Sequence, residues 1–493
     1  MTRQPNFLII MSDEHGPMWS SAYGHPFVRT PNMERLADRG ATFDAAYCNA
    51  PLCVPSRLSF LTGRYVSNCG GWDNTTPLPS DAPTWPYALR KAGYDAVLCG
   101  KMHLLGHDNR HGFSDQLAYE PHGGGNMDPE AVRRRDADRP LERSVRNLHP
   151  IYKWDDGIQA GDLPWPEVRN AGAGRQRMIE ADDTIEAAAL EYLRDPARTQ
   201  QPFALCVGFV APHFPFIVPE PYFSMYYPEH TDLPNNPPGH IEDLPAAAVR
   251  LRRMLRFDGY TDDEMRRARA AYYGLITYLD DKIGRLLNEL EERGLADNTV
   301  IVHTSDHGES LGEHGLWRKM NFYEQAARVP LQISWPGHIL GGQRFSGAVS
   351  TVDTTATILD IAGVAEESAD YLRSDGDSLL PMMSGATTDW KDEAFVEHLA
   401  HGTDRARAMV RQGNMKLSYS HGSPPEIELY NLDSDPGEFT NLAGHPDHQE
   451  AQERLVARVM EIWGDPDRLT QEIAVGQRAR LMIREVQGDN AVF

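Results

Sequence analysis

Long hydrophobic runs are missing from this chain of 493 residues. No stretch approaches the roughly 18 to 20 uninterrupted apolar residues that span a bilayer. The apolar run at residues 7–11 is too short for the apolar region of an export signal. It is expected to be a first β-strand, and a cytoplasmic setting is the corresponding expectation. Cysteine is scarce too: Cys48, Cys53, Cys69, Cys99 and Cys206 are the five present, with no zinc-ribbon or Cys-X-X-Cys spacing. In a reducing compartment these are free thiols, with a Cys48–Cys69 pairing left open. Positive charge is the third shortage, at 48 Lys and Arg against 71 Asp and Glu, a formal net charge of -23. An acidic surface repels nucleic acid and anionic membrane, so neither is expected as a partner. The same field opposes any anionic substrate, so an anion site must gather cations locally.

Apolar residues make up 41% of the chain, enough for one large core and a second, smaller one. Apolar runs alternate with helical patterns, the mark of a layered α/β domain with a largely parallel sheet. Strands are expected at residues 7–11, 96–99, 203–210, 300–304 and 331–334. Ile185, Ala188, Ala189 and Tyr192 recur at helical spacing, as do Leu275, Leu279, Ile283, Leu286 and Leu290, with Gly294 closing the second helix. Polar residues fall directly after the strands: Asp13 and Glu14, Lys101 and His103, His213, Asp306 and His307. Ligands of open α/β sheets bind outside the carboxyl ends of strands, so these residues are expected to converge.

Residues 114–170 are rich in Gly and Arg and weakly periodic, and they are expected to form a long insertion over the site. After a break near residues 364–390, short strands at 394–399, 407–410, 416–419 and 428–431 and a helix from about 449 to 463 suggest a small antiparallel sheet with one packed helix. The expected division is a catalytic α/β domain over residues 1–375 and a C-terminal subdomain and tail over 376–493. The tail after Asp465 is left unassigned.

Residues 53–64 read Cys-Val-Pro-Ser-Arg-Leu-Ser-Phe-Leu-Thr-Gly-Arg. A cysteine alone is usually a small buried hydrophobe, but that role would not require the second half, Leu61 to Arg64. The dodecamer resembles the type I sulfatase signature, Cys-X-Pro-Ser-Arg-X-X-X-Leu-Thr-Gly-Arg, in which the cysteine is oxidised to formylglycine before folding. The hydrated aldehyde is a geminal diol: one oxygen attacks a sulfate ester, and the other expels the product. The resemblance implies an alkaline-phosphatase-like α/β fold with a smaller C-terminal α+β domain. It also implies a small-molecule sulfate ester as substrate, a formylglycine-generating enzyme as maturation partner, and a homo-oligomer.

By the same resemblance, Arg57 stabilises the diol. Asp13, Asp306, His307 and the oxygen at position 53 form a divalent metal site that polarises the ester and acidifies the attacking oxygen. Many sulfatases carry Asp-Asp and Asp-Asn where this chain has Asp13-Glu14 and Asp306-His307. The longer Glu14 either binds the metal indirectly or faces away, and the imidazole tolerates softer metals than calcium. Calcium is the first expectation, manganese the second. Gly100-Lys101-Met102-His103 looks like the family's Gly-Lys-X-His element, whose lysine holds a sulfate oxygen and whose histidine contacts the formylglycine. His213 and Lys319 would approach the bridging oxygen, one of them protonating the leaving alcohol. Asn74 would be a sulfate-site donor. Residues 73–74, 100–106, 111–113 and 312–322 look like stretches of choline sulfatase, but no cage for a quaternary ammonium is recognisable.

The nearest alternative is a phosphonate monoester or phosphodiester hydrolase, whose relatives share the fold, the signature and an Asp-His metal pair. An unmodified, inactive binding or scaffold protein ranks last, because it would leave the clustered cations and carboxylates without a purpose. His107, His111, His122 and His149 show no ligand spacing and are expected to face solvent or line the substrate pocket. The arginines between residues 133 and 146 alternate with acids, as on a salt-bridged surface; the sharper expectation is that one or two bind a second anionic group such as a uronate.

Overall fold

The computed structural model describes residues 4–106, 108–118, 167–386 and 389–487. Strand β1 (Asn6–Asp13) is buried along its whole length, as a central strand covered on both faces must be. Its side chains alternate between two cores. Leu8 and Ile10 join one, and Phe7, Ile9 and Met11 join the other. The remaining strands of the sheet are β2 (Ala41–Phe43), β3 (Asp95–Gly100), β4 (Asp115–Gln116), β5 (Phe203–Pro212), β6 (Thr299–Ser305), β7 (Leu331–Ser334) and β8 (Gln343–Phe345). Their order across the sheet is β8-β2-β7-β6-β1-β5-β3-β4. All neighbours are parallel except those of β7, which runs antiparallel to both β6 and β2. The five strands expected from apolar runs are all present, extended by at most two residues at an end.

Helix α1 (Cys53–Thr62) packs on one face, and α2 (Arg177–Arg194) and α3 (Asp262–Glu292) on the other. A capping box between Thr261 and Glu264 opens α3, and Gly294 follows its end at φ 66°, the left-handed conformation glycine adopts most readily. Helix α4 (Thr351–Ile361) joins α1. The break near 364–390 holds two short helices, Ala365–Leu372 and Leu380–Met383, packed against α4. Of the insertion expected over 114–170, residues 119–166 lie outside the described residues, while β4 adds the sheet's edge strand.

A second sheet of β9 (Glu393–His398), β10 (Arg407–Gln412), β11 (Met415–Ser420) and β12 (Glu426–Asn431) is antiparallel throughout. Leu455, Val459 and Trp463 of α5 (Gln449–Trp463) share a core with Val410 and Leu417. The tail forms α6 (Pro466–Gln487). It buries Leu469 and Ile473 but exposes Val475, Met482 and Val486, so its apolar residues make no single stripe and its periodicity was not readable. All five cysteines are free, so no Cys48–Cys69 bridge exists. Among the described residues no helix is long and apolar enough to cross a membrane.

Candidate active site

Sheet order sets β6, β1, β5 and β3 side by side. Their carboxyl ends therefore bring Asp306 and His307, Asp13 and Glu14, His213, and Lys101 with His103 to one place. Lys101 N–H donates to the Gly208 carbonyl at 2.8 Å. A Cβ at Gly208 would lie 1.9 Å from the Lys101 carbonyl oxygen, so only glycine allows this approach. Helix α1 meets the strand ends with Cys53 as its first residue. Asn74 Oδ1 accepts from Val54 N–H at 3.0 Å, satisfying one of the orphan donors of the helix start. The carbonyl end of Asn74 is thereby committed, and its amide nitrogen is the end able to donate to a sulfate.

Asp13, Cys53, Asp306 and His307 each offer a ligand atom, all within 4.8 Å of one another and all buried. Cys53 Sγ lies 3.2 Å from His307 Nε2 and 3.9 Å from Asp13 Oδ1. His307 Nε2 is 3.8 Å from Asp13 Oδ1 and 3.7 Å from Asp306 Oδ1. The other ring nitrogen, Nδ1, faces the Gly308 carbonyl at 3.0 Å, which places the proton there and leaves the Nε2 lone pair for a metal. Burial holds His307 below its usual range, in the neutral form a ligand needs. For Asp13, burial acts upward but is outweighed by Lys101, His213, Arg57 and Lys319, which hold the carboxylate well below its normal range. Two carboxylates and an imidazole gathered beside position 53 suit a divalent cation.

Cys53 Sγ stands where a formylglycine diol oxygen would sit. Burial first, and Asp13 second, push the thiol up to about 12. The unmodified sulfur therefore keeps its proton at neutral pH and is a poor nucleophile.

Cations ring the cluster. Fully buried Arg57 donates from Nε to Asp306 Oδ2 at 2.8 Å and from Nη1 to the Lys101 carbonyl at 2.7 Å, with Nη2 3.5 Å from Asp13 Oδ2. Lys101 Nζ pairs with Asp13 Oδ2. His103 follows with its backbone at φ 55°. Lys319 Nζ donates to Glu14 Oε2 at 3.0 Å, and His213 Nε2 lies 3.3 Å from that same oxygen. Burial acts downward on Lys319, but the pull of Cys53, Glu14, Asp13 and Asp306 prevails and raises its pKa.

Two neighbours carried no sequence signal. Glu309 backs Glu14, and its Oε1 accepts from the N–H groups of Leu311 and Arg318 at 2.8 and 2.6 Å. Burial pushes both carboxyls up, against the pull of the Lys319 ammonium on each. His401, in the β9–β10 turn, feels the charges of Asp73, Lys319 and Arg318; it sits at φ 63°, beside a glycine packed on Met320. Only the glycine at 402 hinted at a tight turn there. His111 is buried, so it does not face solvent, and its carbonyl accepts from Thr84 Oγ1 at 2.6 Å. His107, His122, His149 and the arginines between 133 and 146 lie outside the described residues.

A family model described as Sulfatase matches residues 5–364, and one described as N-sulphoglucosamine sulphohydrolase, C-terminal, matches residues 312–464. The chain is 32% identical to a choline-sulfatase of Rhizobium meliloti (strain 1021) over 468 residues, covering 92% of this chain and 86% of that protein. It is 31% identical to the multifunctional alkaline phosphatase superfamily protein PehA of Trinickia caryophylli, covering 90% and 92%. Its fold matches the solved phosphonate monoester hydrolase SpPMH of Silicibacter pomeroyi with a TM-score of 0.71 at 25% identity, over 93% and 95% of the two chains. Extended matches of this kind, joined to a buried cysteine inside a metal-binding cluster, show that the chain belongs to the sulfatase family of the alkaline phosphatase superfamily and is a sulfatase-type hydrolase.

Proposed function

We propose that the protein hydrolyses a sulfate monoester of a small alcohol, using formylglycine made from Cys53 by a formylglycine-generating enzyme. The observation that carries this reading is the set of ligand atoms of Asp13, Asp306 and His307 gathered around Cys53. A divalent cation held by these groups, calcium first and manganese second, would polarise the ester and acidify the attacking hydroxyl. Lys101 and Lys319 bind sulfate oxygens, with the Asn74 amide as a further donor. Arg57 acts on position 53 through Asp306 and Asp13, whose carboxylates it holds in place.

One hydroxyl of the hydrated aldehyde, ionised with loss of its proton to solvent, attacks sulfur in line as the ester S–O bond breaks. His213 hands a proton to the departing alcohol oxygen. Its Nδ1 lies 2.6 Å from the Phe214 carbonyl and its Nε2 3.3 Å from Glu14 Oε2, so a protonated ring meets an oxygen at each nitrogen. Lys319, with its pKa raised, is better suited to holding sulfate than to releasing a proton. His103 then takes the proton of the second hydroxyl, the carbon–oxygen bond to sulfate breaks, and the aldehyde returns. Five free thiols suit a reducing compartment.

The ligand pair Asp306-His307 supports a second reading, a phosphonate monoester hydrolase, as does the likeness to SpPMH. Two measurements test the proposal. Mass spectrometry of the peptide spanning Cys53, from a host able to modify it, is expected to find the aldehyde; a retained thiol in fully active protein defeats the mechanism. Parallel kcat/KM values on an aryl sulfate and an aryl phosphonate are expected to favour sulfate, and the opposite order establishes the second reading.

A further inference from the structure

Glu14 follows Asp13 directly, yet the two carboxylates part company. Asp13 joins Cys53, Asp306 and His307, whereas Glu14 falls in a separate group with Asp13 and His213. The backbone explains the divergence. Glu14 sits at φ 66°, a left-handed conformation that non-glycine residues avoid. Two buried hydrogen bonds hold it there: its N–H donates to Asp306 Oδ1 at 3.1 Å, and its carbonyl accepts from Tyr272 at 2.6 Å. The turn sends the side chain to the leaving-group side, where Oε2 meets Lys319 Nζ at 3.0 Å and His213 Nε2 at 3.3 Å. Glu309, held by two backbone N–H groups, neighbours the same carboxyl.

Asp13, Glu14 and His213 could in principle hold a second cation. The Lys319 ammonium on Glu14 and the Lys101 ammonium on Asp13 already supply positive charge there, and like charges repel.

We propose that Glu14 is a positioning residue and not a metal ligand: its carboxylate fixes the His213 imidazole against the oxygen that leaves and the Lys319 ammonium against the sulfate. The proposal rests on the assignment of His213 as the leaving-group proton donor. General-acid assistance matters most for a poor leaving group. Losing the carboxylate should therefore slow unactivated phenyl or alkyl esters far more than nitrophenyl esters.

The test is Glu14→Gln in the full-length, modified protein, with two readouts. Metal content by inductively coupled plasma mass spectrometry is expected to equal that of the wild type, and loss of the metal makes Glu14 a ligand and overturns the proposal. Across a series of aryl and alkyl esters, kcat/KM is expected to fall about 2-fold for nitrophenol and about 100-fold for the poorest leaving group. A uniform fall across the series, as a structural role would give, also overturns it. Glu14→Asp withdraws the charge by one methylene and reports the same two quantities should the amide variant fail to fold. The series uses sulfates or phosphonates, whichever the wild type turns over. A wild type inert to both sinks the proposed function instead, and metal content then decides the role of Glu14.

Discussion

Arg57 is the clearest case of a residue whose surroundings decide its meaning. Its guanidinium lies between two metal-site carboxylates with no exposure to solvent. Removing one partner of a buried ion pair strands the other, at a cost of about 3–5 kcal/mol. Arg57→Met is therefore expected to destabilise metal-free protein by about that amount. Added calcium or manganese should recover part of the loss, because a cation bound only by the folded state stabilises it. Chemical denaturation with and without metal checks this, and equal loss in both conditions refutes it. His303 offers a pH test. Burial holds it down to about 4, against the upward pull of Gln332 Oε1 at 3.2 Å. Unfolded histidine titrates near 6.5. Above that pH the residue is neutral in both states and its protonation has no effect on stability. As pH falls from 6.5 toward 4, the unfolded chain takes up a proton that the fold refuses, and stability is lost. The penalty of His303→Asn, measured by denaturant melts, should accordingly shrink by about 2 kcal/mol between pH 7.5 and pH 5. A constant penalty contradicts the assignment.

Among the elements, α1 and α6 are coupled through one short loop. Buried Asp73 accepts from Thr75 N–H at 2.9 Å, while Arg480 and Gln477 of α6 reach its other oxygen at 2.6 and 3.2 Å. The next residue, Asn74, caps α1 above Cys53. The C-terminal helix thus anchors the loop that holds the start of the catalytic helix. Arg480→Ala leaves Asp73 buried without its cation and is expected to destabilise the protein by about 3 kcal/mol. It should also raise KM more than it lowers kcat, since Asn74 is the proposed sulfate donor. Steady-state kinetics beside thermal melts check both, and an unchanged KM rejects the proposed link.

At the level of the whole molecule, the two sheets are joined by buried charge as well as by apolar packing. Lys416 of β11 is fully buried and reaches Glu324 Oε1 at 2.8 Å and Glu438 Oε1 at 2.7 Å. Tyr47 donates to that same Glu324 oxygen at 2.8 Å. A cation between two buried carboxylates cannot be removed without leaving like charges in a medium that screens them poorly. Lys416→Met is expected to cost about 3–5 kcal/mol and to split a single unfolding transition into two, the small sheet melting first. Calorimetry resolves the transitions, and one sharp transition at an unchanged temperature rules the coupling out.

Much of this architecture was legible along the chain. Strands buried on both faces read as unbroken apolar runs, so β1, β3, β5, β6 and β7 were found within two residues of their ends. The polar residues after those runs marked the site, and the dodecamer at Cys53 marked the nucleophile. Helix α6 was not legible, because its apolar residues lie on more than one side. His401 was missed because it follows no strand of the large sheet, and Glu309 because it lies four residues past the end of β6, beyond the residues that directly follow it. The sequence by itself determined the fold class, the family and the identity of the reacting position, since these depend on local periodicity and on a contiguous motif. Only the tertiary structure decided which charges meet: that Arg57 clamps Asp306 and Asp13, that Asn74 caps the helix of Cys53, and that Glu14 meets Lys319 and His213. Electrostatic pairing acts over a few ångströms in space, between residues up to hundreds of positions apart in the chain, and no periodicity records it.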